Sequence, residues 1–310
     1  PRISNFFHYF SYNFEQLGLK KLITTCYKNQ ERDLFSQNNS ERAIWLEYTG
    51  DHNGNRVPDP EEIGINYLKG NGDFRSQECI ELLKQADIVV TNPPFSLFRE
   101  YVAQLMKYNK KFVIIGNQNA ITYKEIFSYI KANQLWLGST LSFAKFKVPD
   151  YYEPKPTRFW IDETGQKWRS MGNICWFTNL DIAKRHEEII LYKSYNEQEY
   201  PQYDNYNAIN VNKVADIPMD YDGVMGVPIT FLDKYNPNQF EILGIMASTT
   251  IDHLNFGYPF VNGKKIYARI LICRKQPHIA ETEQTSPKTY QIIEPEMSMV
   301  AEPELEYGKK

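Results

Sequence analysis

"DIVVTNPPFSLFREYVAQLMKYNKKFVIIGN", residues 87–117, contains the strand, corner, helix and strand of one α/β repeat. Its first four residues and KFVIIGN (111–117) are short apolar runs typical of buried strands. Between them, apolar residues at helical spacing predict a helix over 97–108, and Ser96 can cap its first turn. Ligands of parallel α/β sheets bind beyond the carboxyl ends of the strands. The corner NPPF (92–95) therefore lies at the expected binding edge.

The same alternation of helices and strands extends to both sides of this repeat. Ser4 and Ser76 can cap two further helices, and Thr122 with Glu125 forms the pattern of a capping box. The predicted elements are helices over 4–17, 77–86 and 122–133 and strands over 20–27, 43–48, 173–180 and 264–275. This order predicts an α/β fold with a mostly parallel sheet and helices on both faces.

Composition and charge divide the chain into three parts. Residues 1–140 carry the regular α/β rhythm, 141–275 mix the remaining strands with many turns, and 276–310 form an acidic tail that we expect to be disordered. The whole chain has a formal charge of −3, and the tail has seven Glu against three Lys, a net of −4. The body therefore carries −3 − (−4) = +1, which is compatible with a polyanionic partner.

The four cysteines are far apart and form no CxxC pair. This favours reduced thiols in a cytoplasmic protein over a disulfide framework or a zinc site, and no metal is predicted. No apolar run approaches the ~20 residues of a membrane span, and no signal peptide is visible, so we expect no membrane association.

The corner itself is unusually stiff. Two consecutive prolines fix two φ angles and remove two backbone donors, and Asn92 before them is held extended. The Asn92 side-chain oxygen and the Pro93 carbonyl then form a rigid pair of acceptors beside the flat ring of Phe95. Such a site fits a planar group that carries an NH₂. The alternative is a rigid connection in which Asn92 is satisfied by a neighbouring group.

NPPF after an apolar strand resembles the Asn/Asp-Pro-Pro-aromatic motif of amino-group DNA methyltransferases. Longer stretches are similar to the EcoRI-like adenine-specific DNA methyltransferases and follow in the same order. They are SNFFHYFSYNFEQLGLKKLITTCY (4–27), GDFRSQECIELLKQADIVVTNPPFSLFREYV (72–102), KFVIIGNQNAITYKEIF (111–127) and VPITFLDKYNPNQFEILG (227–244). The resemblance covers most of residues 3–275. It implies a Rossmann-like, S-adenosylmethionine-dependent methyltransferase core over 1–140 with an α+β target-recognition region after it.

The resemblance implies catalytic roles for the four residues of the corner. Asn92 and Pro93 would accept hydrogen bonds from the exocyclic amine of a flipped adenine. Phe95 would stack on the adenine ring, and Pro94 would hold the shape of the corner. The expected reaction is site-specific methylation of adenine in double-stranded DNA.

The resemblance also implies a cofactor site formed by Gly72, Asp73 and Phe74, together with Asn92. Asp73 would accept from the amine of the cofactor's adenine, and Phe74 would lie against the purine. An alternative for Asp73 is a turn residue ahead of a helix. We expect the chain, which begins at Pro1, to lack a preceding cofactor motif and therefore to bind S-adenosylmethionine poorly by itself.

A basic and aromatic stretch over 142–169 is the candidate DNA contact. Surface Lys and Arg are more often simply solvated, but here they alternate with aromatic residues. The candidate residues are Lys145, Lys147, Arg158, Trp160, Lys167 and Arg169.

Three other functions remain open at this point. A glutamine-amide methyltransferase would use the same corner, because an amide NH₂ is also planar, and a cytosine amine is a closer variant. A catalytically silent DNA-binding module is the third. The resemblance favours an adenine enzyme that is monomeric, that is cytoplasmic in a bacterium or encoded by a phage, and that functions alongside a restriction endonuclease.

Overall fold

A computed structural model describes residues 4–27, 43–55, 57–139 and 143–275. The predicted tail and the chain start at Pro1 lie outside these residues. The first described elements are α1 (Asn5–Tyr12), β1 (Leu22–Thr25), β2 (Ile44–Tyr48) and β3 (Gly64–Tyr67). The three strands form an antiparallel sheet in the order β1-β2-β3, and Phe7 of α1 belongs to the same buried cluster as Leu46 of β2.

The central part of the chain builds the layer that holds the corner. Its elements are α2 (Gln77–Gln85), β4 (Ile88–Thr91), α3 (Phe98–Lys107), β5 (Lys111–Asn117), α4 (Lys124–Lys131) and β6 (Trp136–Leu137). After them come β7 (Phe143–Lys147), β8 (Phe159–Ile161), β9 (Lys167–Met171) and β10 (Ile174–Thr178). β10 returns to the central layer, whose order is β4-β5-β10-β6, while β7, β9 and β8 form a separate antiparallel sheet in that order.

The last part of the described chain forms a second four-stranded sheet. Its elements are β11 (Ile209–Asn210), β12 (Met225–Pro228), β13 (Phe240–Met246), β14 (Phe260–Val261), β15 (Lys264–Lys265) and β16 (Arg269–Arg274). The order in the sheet is β11-β12-β16-β13, and β14 and β15 form a hairpin.

The mixed α/β composition is confirmed, but a mostly parallel sheet is not. Among the described strands only β4 with β5 and β11 with β12 pair in parallel. The other pairs are antiparallel because the chain returns through hairpins or, as at β10, runs back beside β5 after a long excursion. A single strand–helix–strand repeat predicts one parallel pair and does not fix the direction of later strands.

One apolar core joins the two four-stranded sheets. Phe112 and Ile114 of β5, Phe127 of α4, and Ile270 and Ile272 of β16 belong to the same cluster and are fully buried. Helix α4 therefore shares one buried surface with the central layer and the second sheet, and this surface stabilises all three. The predicted boundary at residue 140 stays a prediction.

The predicted helix starts have different outcomes. Ser76 caps α2 as expected, since its Oγ accepts from the Cys79 N–H at 3.3 Å. Ser4 makes no side-chain capping bond, and α1 ends at Tyr12 instead of residue 17. The Asn13 side chain donates to the Tyr9 carbonyl at 2.7 Å and helps close that end.

Two predicted caps near the binding edge are wrong. Instead of a cap at Ser96, the Leu97 N–H bonds the Pro94 carbonyl at 3.0 Å, and a 3₁₀ turn precedes α3. Instead of a capping box, the Thr122 hydroxyl donates to the Asn119 carbonyl at 2.8 Å within another 3₁₀ turn. In both cases a 3₁₀ turn uses the residues that sequence spacing assigns to a cap. No helix of the described residues has the length and apolar character needed to cross a bilayer.

Candidate active site

The corner is positioned by packing at the carboxyl ends of β4 and β5. These strands are parallel, and Thr91 lies opposite Ile114, so both end at one edge. Phe98, the first residue of α3, packs edge to face on Phe177 with ring centroids 5.0 Å apart. Both rings lie over Gly116, where an added Cβ would come within 2.6 Å of Phe98. The absence of a side chain at Gly116 thus lets α3 sit close to the sheet and fixes the corner ahead of it.

The corner presents one buried and three exposed residues. Pro93 is buried, whereas Asn92, Pro94 and Phe95 are exposed, with 39% of Phe95 accessible. No described group hydrogen-bonds the Asn92 side chain, and no described N–H bonds the Pro93 carbonyl. Two other corner carbonyls have internal partners among the described residues, since Pro94 accepts from the Leu97 N–H at 3.0 Å and Phe95 from the Phe98 N–H. The corner therefore offers two unoccupied acceptors next to an accessible ring.

The GDF loop lies against the end of β1. Gly72 is buried with φ +80°, and a Cβ there would come within 2.4 Å of the Cys26 carbonyl oxygen. The other end of the loop is held by Glu78 of α2, which accepts from the Lys69 and Gly70 N–H groups at 2.9 Å each. These bonds lower the pKa of Glu78 below its usual value. Glycine at 72 is thus required both by backbone conformation and by the space available.

Asp73 is held by a neighbouring guanidinium. Arg75 bonds both Asp73 oxygens, with Nη2 2.7 Å from Oδ2 and Nε 3.0 Å from Oδ1, and its backbone N–H is 2.8 Å from Oδ1. The side-chain bond from Arg75 lowers the pKa of Asp73, so the carboxylate is ionised at neutral pH. Arg75 also reaches Glu100 of α3 at 2.9 Å. The predicted cofactor acceptor is therefore oriented and charged, and it is linked to the helix that follows the corner.

Phe74 is packed against the same helix. Its ring lies 4.8 Å from Tyr101, and its carbonyl accepts from the Gln104 side chain at 2.8 Å. Burial raises the pKa of Tyr101 to about 12, so its hydroxyl stays protonated. The loop and the corner are consequently attached to one helix, α3, which brings the two predicted half-sites together.

Sequence reasoning missed the residues that make this connection. Glu100, Tyr101 and Gln104 lie on one side of α3, and Arg75 follows the loop directly. The i, i+4 spacing of Glu100 and Gln104 was a signal that they share a helix face. Nothing in the spacing shows which loop covers that face.

The NQN stretch (117–119) at the end of β5 forms a turn. The Asn117 side chain accepts from the Asn119 N–H at 2.9 Å, and the Gln118 N–H bonds the Asn173 carbonyl at 2.8 Å. Asn173 immediately precedes β10, so the chain leaves the small β7-β9-β8 sheet at this edge. That sheet is therefore joined to the edge that carries the corner.

The candidate DNA residues fall into two groups. Lys145, Lys147, Arg158 and Trp160 are exposed. The other two, Lys167 and Arg169, are half-buried and engaged within the protein. The Lys167 ammonium bonds the carbonyls of Asp150 and Tyr152, and Arg169 bonds the Tyr152 hydroxyl at 2.7 Å.

The described residues contain no cluster of three or more His, Cys, Asp or Glu side chains suited to a metal ion. None of the four cysteines forms a disulfide.

These features define a class of protein. A rigid Asn-Pro-Pro-Phe acceptor corner beside an anchored acidic loop, at the carboxyl edge of an α/β sheet, is the site expected of an amino-group methyltransferase. A family model described as "Adenine-specific methyltransferase EcoRI" matches residues 1–275. The chain belongs to this family and is an adenine-specific DNA methyltransferase.

Three bacterial relatives support this membership. Type II methyltransferase M.EcoRI of Escherichia coli is 50% identical over 280 residues, which is 89% of this chain and 84% of the relative. M.MgeORF184P of Mycoplasma genitalium is 43% identical over 88% of this chain and 85% of its own length. M.MpnI of Mycoplasma pneumoniae is 37% identical over 88% and 84%, respectively. No solved structure matches the chain.

Proposed function

We propose that the protein transfers a methyl group from S-adenosylmethionine to the exocyclic amine of an adenine that has been flipped out of double-stranded DNA. The observation that carries the proposal is the pair of unoccupied acceptors at Asn92 and Pro93 beside the exposed Phe95 ring. An adenine amine has two hydrogens in the plane of its ring, so two acceptors and a flat platform complement it.

The corner favours the reaction by stabilising charge on nitrogen. As a C–N bond forms and the C–S bond of the cofactor breaks, the amine becomes positive and then releases a proton to water. Hydrogen bonds to Asn92 and Pro93 stabilise that charge and draw the lone pair out of conjugation with the ring. S-adenosylmethionine, when bound, supplies an electrophilic methyl group on a sulfonium. Orientation of the two reactants can contribute ~7–11 kcal/mol to lowering the barrier.

The target adenine must leave the helix, because an acceptor corner at a sheet edge cannot reach a stacked base. Unstacking costs a few kcal/mol. Stacking on the accessible face of Phe95 offsets about 1–3 kcal/mol of that cost.

The residues around the GDF loop fit the adenosine part of the cofactor. Gly72 lets the loop pack closely against the end of β1, and the partly exposed Phe74 offers a surface for a purine. Asn92, the first residue of the corner, completes the proposed cofactor site. Asp73 is ionised, and Oδ2 has one bond to Arg75, which leaves acceptor capacity for an adenine amine.

The names of the relatives support a role for the protein in bacterial DNA modification. The relatives are named Type II methyltransferases of bacteria. A cytoplasmic, monomeric enzyme that modifies one DNA sequence alongside a restriction endonuclease is the corresponding role for this chain.

Mapping of modified adenines in DNA from cells that express the full-length gene tests this function. We expect N6-methyladenine at a single sequence, and its absence with the Asn92→Ala variant. Methylated glutamine in cellular protein, without modified DNA, would favour the glutamine-amide alternative. Salt-dependent DNA binding without modification would favour a silent DNA-binding module.

A further inference from the structure

The small sheet of β7, β9 and β8 has two chemically different faces. Trp168 of β9 lies opposite Lys147 of β7 on one side and opposite Trp160 of β8 on the other. Residues directly opposite in an antiparallel sheet share a face, so these three side chains lie together. Lys145 is on the same face, with its Nζ 5.0 Å from the Trp168 ring centroid, and the Lys147 Nζ is 5.6 Å from it. We name this set, Lys145, Lys147, Trp160 and Trp168, the Lys/Trp face.

The opposite face is used for internal contacts. Arg169 lies opposite Phe146 and Phe159, and its guanidinium is 5.7 Å from the Tyr152 ring centroid. Lys167 is two residues away on the same face, and its ammonium closes the 150–152 loop. Both cations therefore support the protein and are poorly placed to meet a ligand.

No carboxylate of the described residues forms an ion pair with the lysines of the Lys/Trp face. Within the described residues, Lys145 and Lys147 contact the Trp168 ring but no carboxylate. Asp162, two residues after Trp160, forms no ion pair with either lysine and is instead bonded within its own turn and to the Trp168 indole. It accepts from the Trp168 indole at 2.7 Å, from the Thr164 hydroxyl at 2.6 Å and from the Gln166 N–H at 3.0 Å.

The Lys/Trp face is also joined to the catalytic edge. Two residues after β9, the Asn173 carbonyl accepts from Gln118 at the end of β5, and Ile174 lies opposite Asn117. The corner follows the neighbouring strand β4 at the same edge. The small sheet is therefore attached at the edge where the corner would receive its base.

We infer that the Lys/Trp face contacts the DNA backbone beside the target adenine, with Lys145 and Lys147 each on a phosphate. The inference rests on the proposed function and assigns the DNA contact to one face of the small sheet. The indoles hold the lysine stems in place and add flat apolar surface for sugars or exposed base faces. Lys167 and Arg169 are excluded from the contact, although the sequence suggests them equally.

The test is the salt dependence of binding to a fluorescently labelled duplex of random sequence, measured by anisotropy with the full chain. Loss of two lysine–phosphate contacts in Lys145→Gln/Lys147→Gln should reduce the slope of log K against log salt by about 1.8. Affinity at 0.1 M salt should fall on the order of tens of fold. The folded state should be unaffected, since both lysines are exposed.

Lys107→Gln is the matched control. This lysine is also exposed over an aromatic ring, with Nζ 5.6 Å from the Tyr108 centroid, but it lies at the last turn of α3, away from the corner. The slope of log K against log salt for this variant should equal that of the wild type. Lys167→Gln should lower the melting temperature without a change in slope.

An unchanged slope in the double variant overturns the inference, as does a slope reduced by Lys167→Gln alone. If the wild type methylates adenine in DNA while the double variant keeps its slope, the face assignment fails and the proposed function stands. If the product of the full-length gene modifies no DNA, the proposed function fails by itself.

Discussion

Asn92, which follows the half-exposed edge strand β4 and not the buried strand that the sequence predicts, is exposed and has no hydrogen-bond partner among the described residues. Its rigidity comes from the prolines that follow and from the Phe98 contact over Gly116, so no bond to its own side chain is needed. The side chain is therefore available for a ligand. For the same reason, its replacement should affect chemistry far more than folding.

Asn92→Ala should lower the rate of methyl transfer on the order of 10²-fold or more, because a preorganised group that stabilises charge is lost. The melting temperature should stay near that of the wild type. The measurement is kcat with tritiated cofactor and duplex DNA. Asn92→Asp keeps an acceptor and should retain more activity than Asn92→Ala. Near-wild-type turnover in the alanine variant would contradict the assigned role.

Gly72→Ala tests the anchor of the cofactor loop. A side chain at φ +80° costs about 1–2 kcal/mol, and the added Cβ would also come within 2.4 Å of the Cys26 carbonyl. We expect a raised KM for S-adenosylmethionine. Gly54→Ala is the control, since Gly54 has φ +79° with no atom within 4 Å of the added Cβ. Equal effects of the two substitutions on KM would show that the close approach at Gly72 is irrelevant to cofactor binding.

At the level of elements, helix α3 connects the cofactor loop with the corner. Arg75 joins Asp73 to Glu100, and Gln104 holds the Phe74 carbonyl, while the first residue of the same helix seats the corner on the sheet. A shift of α3 would therefore move both half-sites together. This explains how two loops separated by a strand and a helix keep one geometry.

Arg75→Ala should remove a pH-dependent part of the stability. Because Arg75 lowers the pKa of Asp73, the ion pair stabilises the folded state above the ordinary aspartate pKa of 3.8 and ceases to do so as pH falls through the lowered value. The free energies of unfolding of wild type and variant should differ at neutral pH and converge in acid. Urea titrations across pH measure this.

Glu100→Gln is the companion variant to Arg75→Ala. It loses only the second partner of Arg75 and keeps the Asp73 pair. Its free energy of unfolding should therefore differ little from that of the wild type at neutral pH or in acid. A difference between wild type and Arg75→Ala that persists in strong acid would rule out the ion pair as the source.

Elements with strong local signals were predictable. β5 spans the predicted residues 111–117, and α2 begins after the predicted Ser76 cap. The N-terminal caps of α3 and α4 were not, because at each a 3₁₀ turn precedes the helix. Such turns form where a backbone carbonyl is left free after tertiary packing. Sequence rules for helix caps consider only side chains and therefore do not predict them.

At the scale of the whole molecule, the sequence motifs identified the sheet edge that carries the site. They did not predict which surrounding residues contact each other and which face outward. NPPF and GDF identify two loops, and their meeting on α3 depends on packing that has no sequence signature. In the basic stretch, a cation's partner depends on strand register, which decides whether it faces Trp168 or Tyr152. Both faces of the small sheet carry two basic residues, so charge alone does not distinguish them.

The last prediction concerns how stability is distributed over the molecule. β5 and β16 belong to the core that joins the two four-stranded sheets, whereas no residue of the described part of the β7-β9-β8 sheet belongs to it. Amides of β5 and β16 should therefore exchange hydrogen only on global unfolding, and those of β7 and β9 by local opening at much lower free energy. Hydrogen exchange with mass spectrometry measures both.

Phe231→Ala distinguishes this arrangement from a uniformly stable protein. The buried ring belongs to the shared core, and its loss should cost about 3–5 kcal/mol. Exchange in β5 and β16 should accelerate accordingly, while β7 and β9, which already open locally, should change little. Added duplex DNA should slow exchange in β7 and β9 if the Lys/Trp face binds it. Equal acceleration of all four strands in the variant would mean that the small sheet opens only with the core.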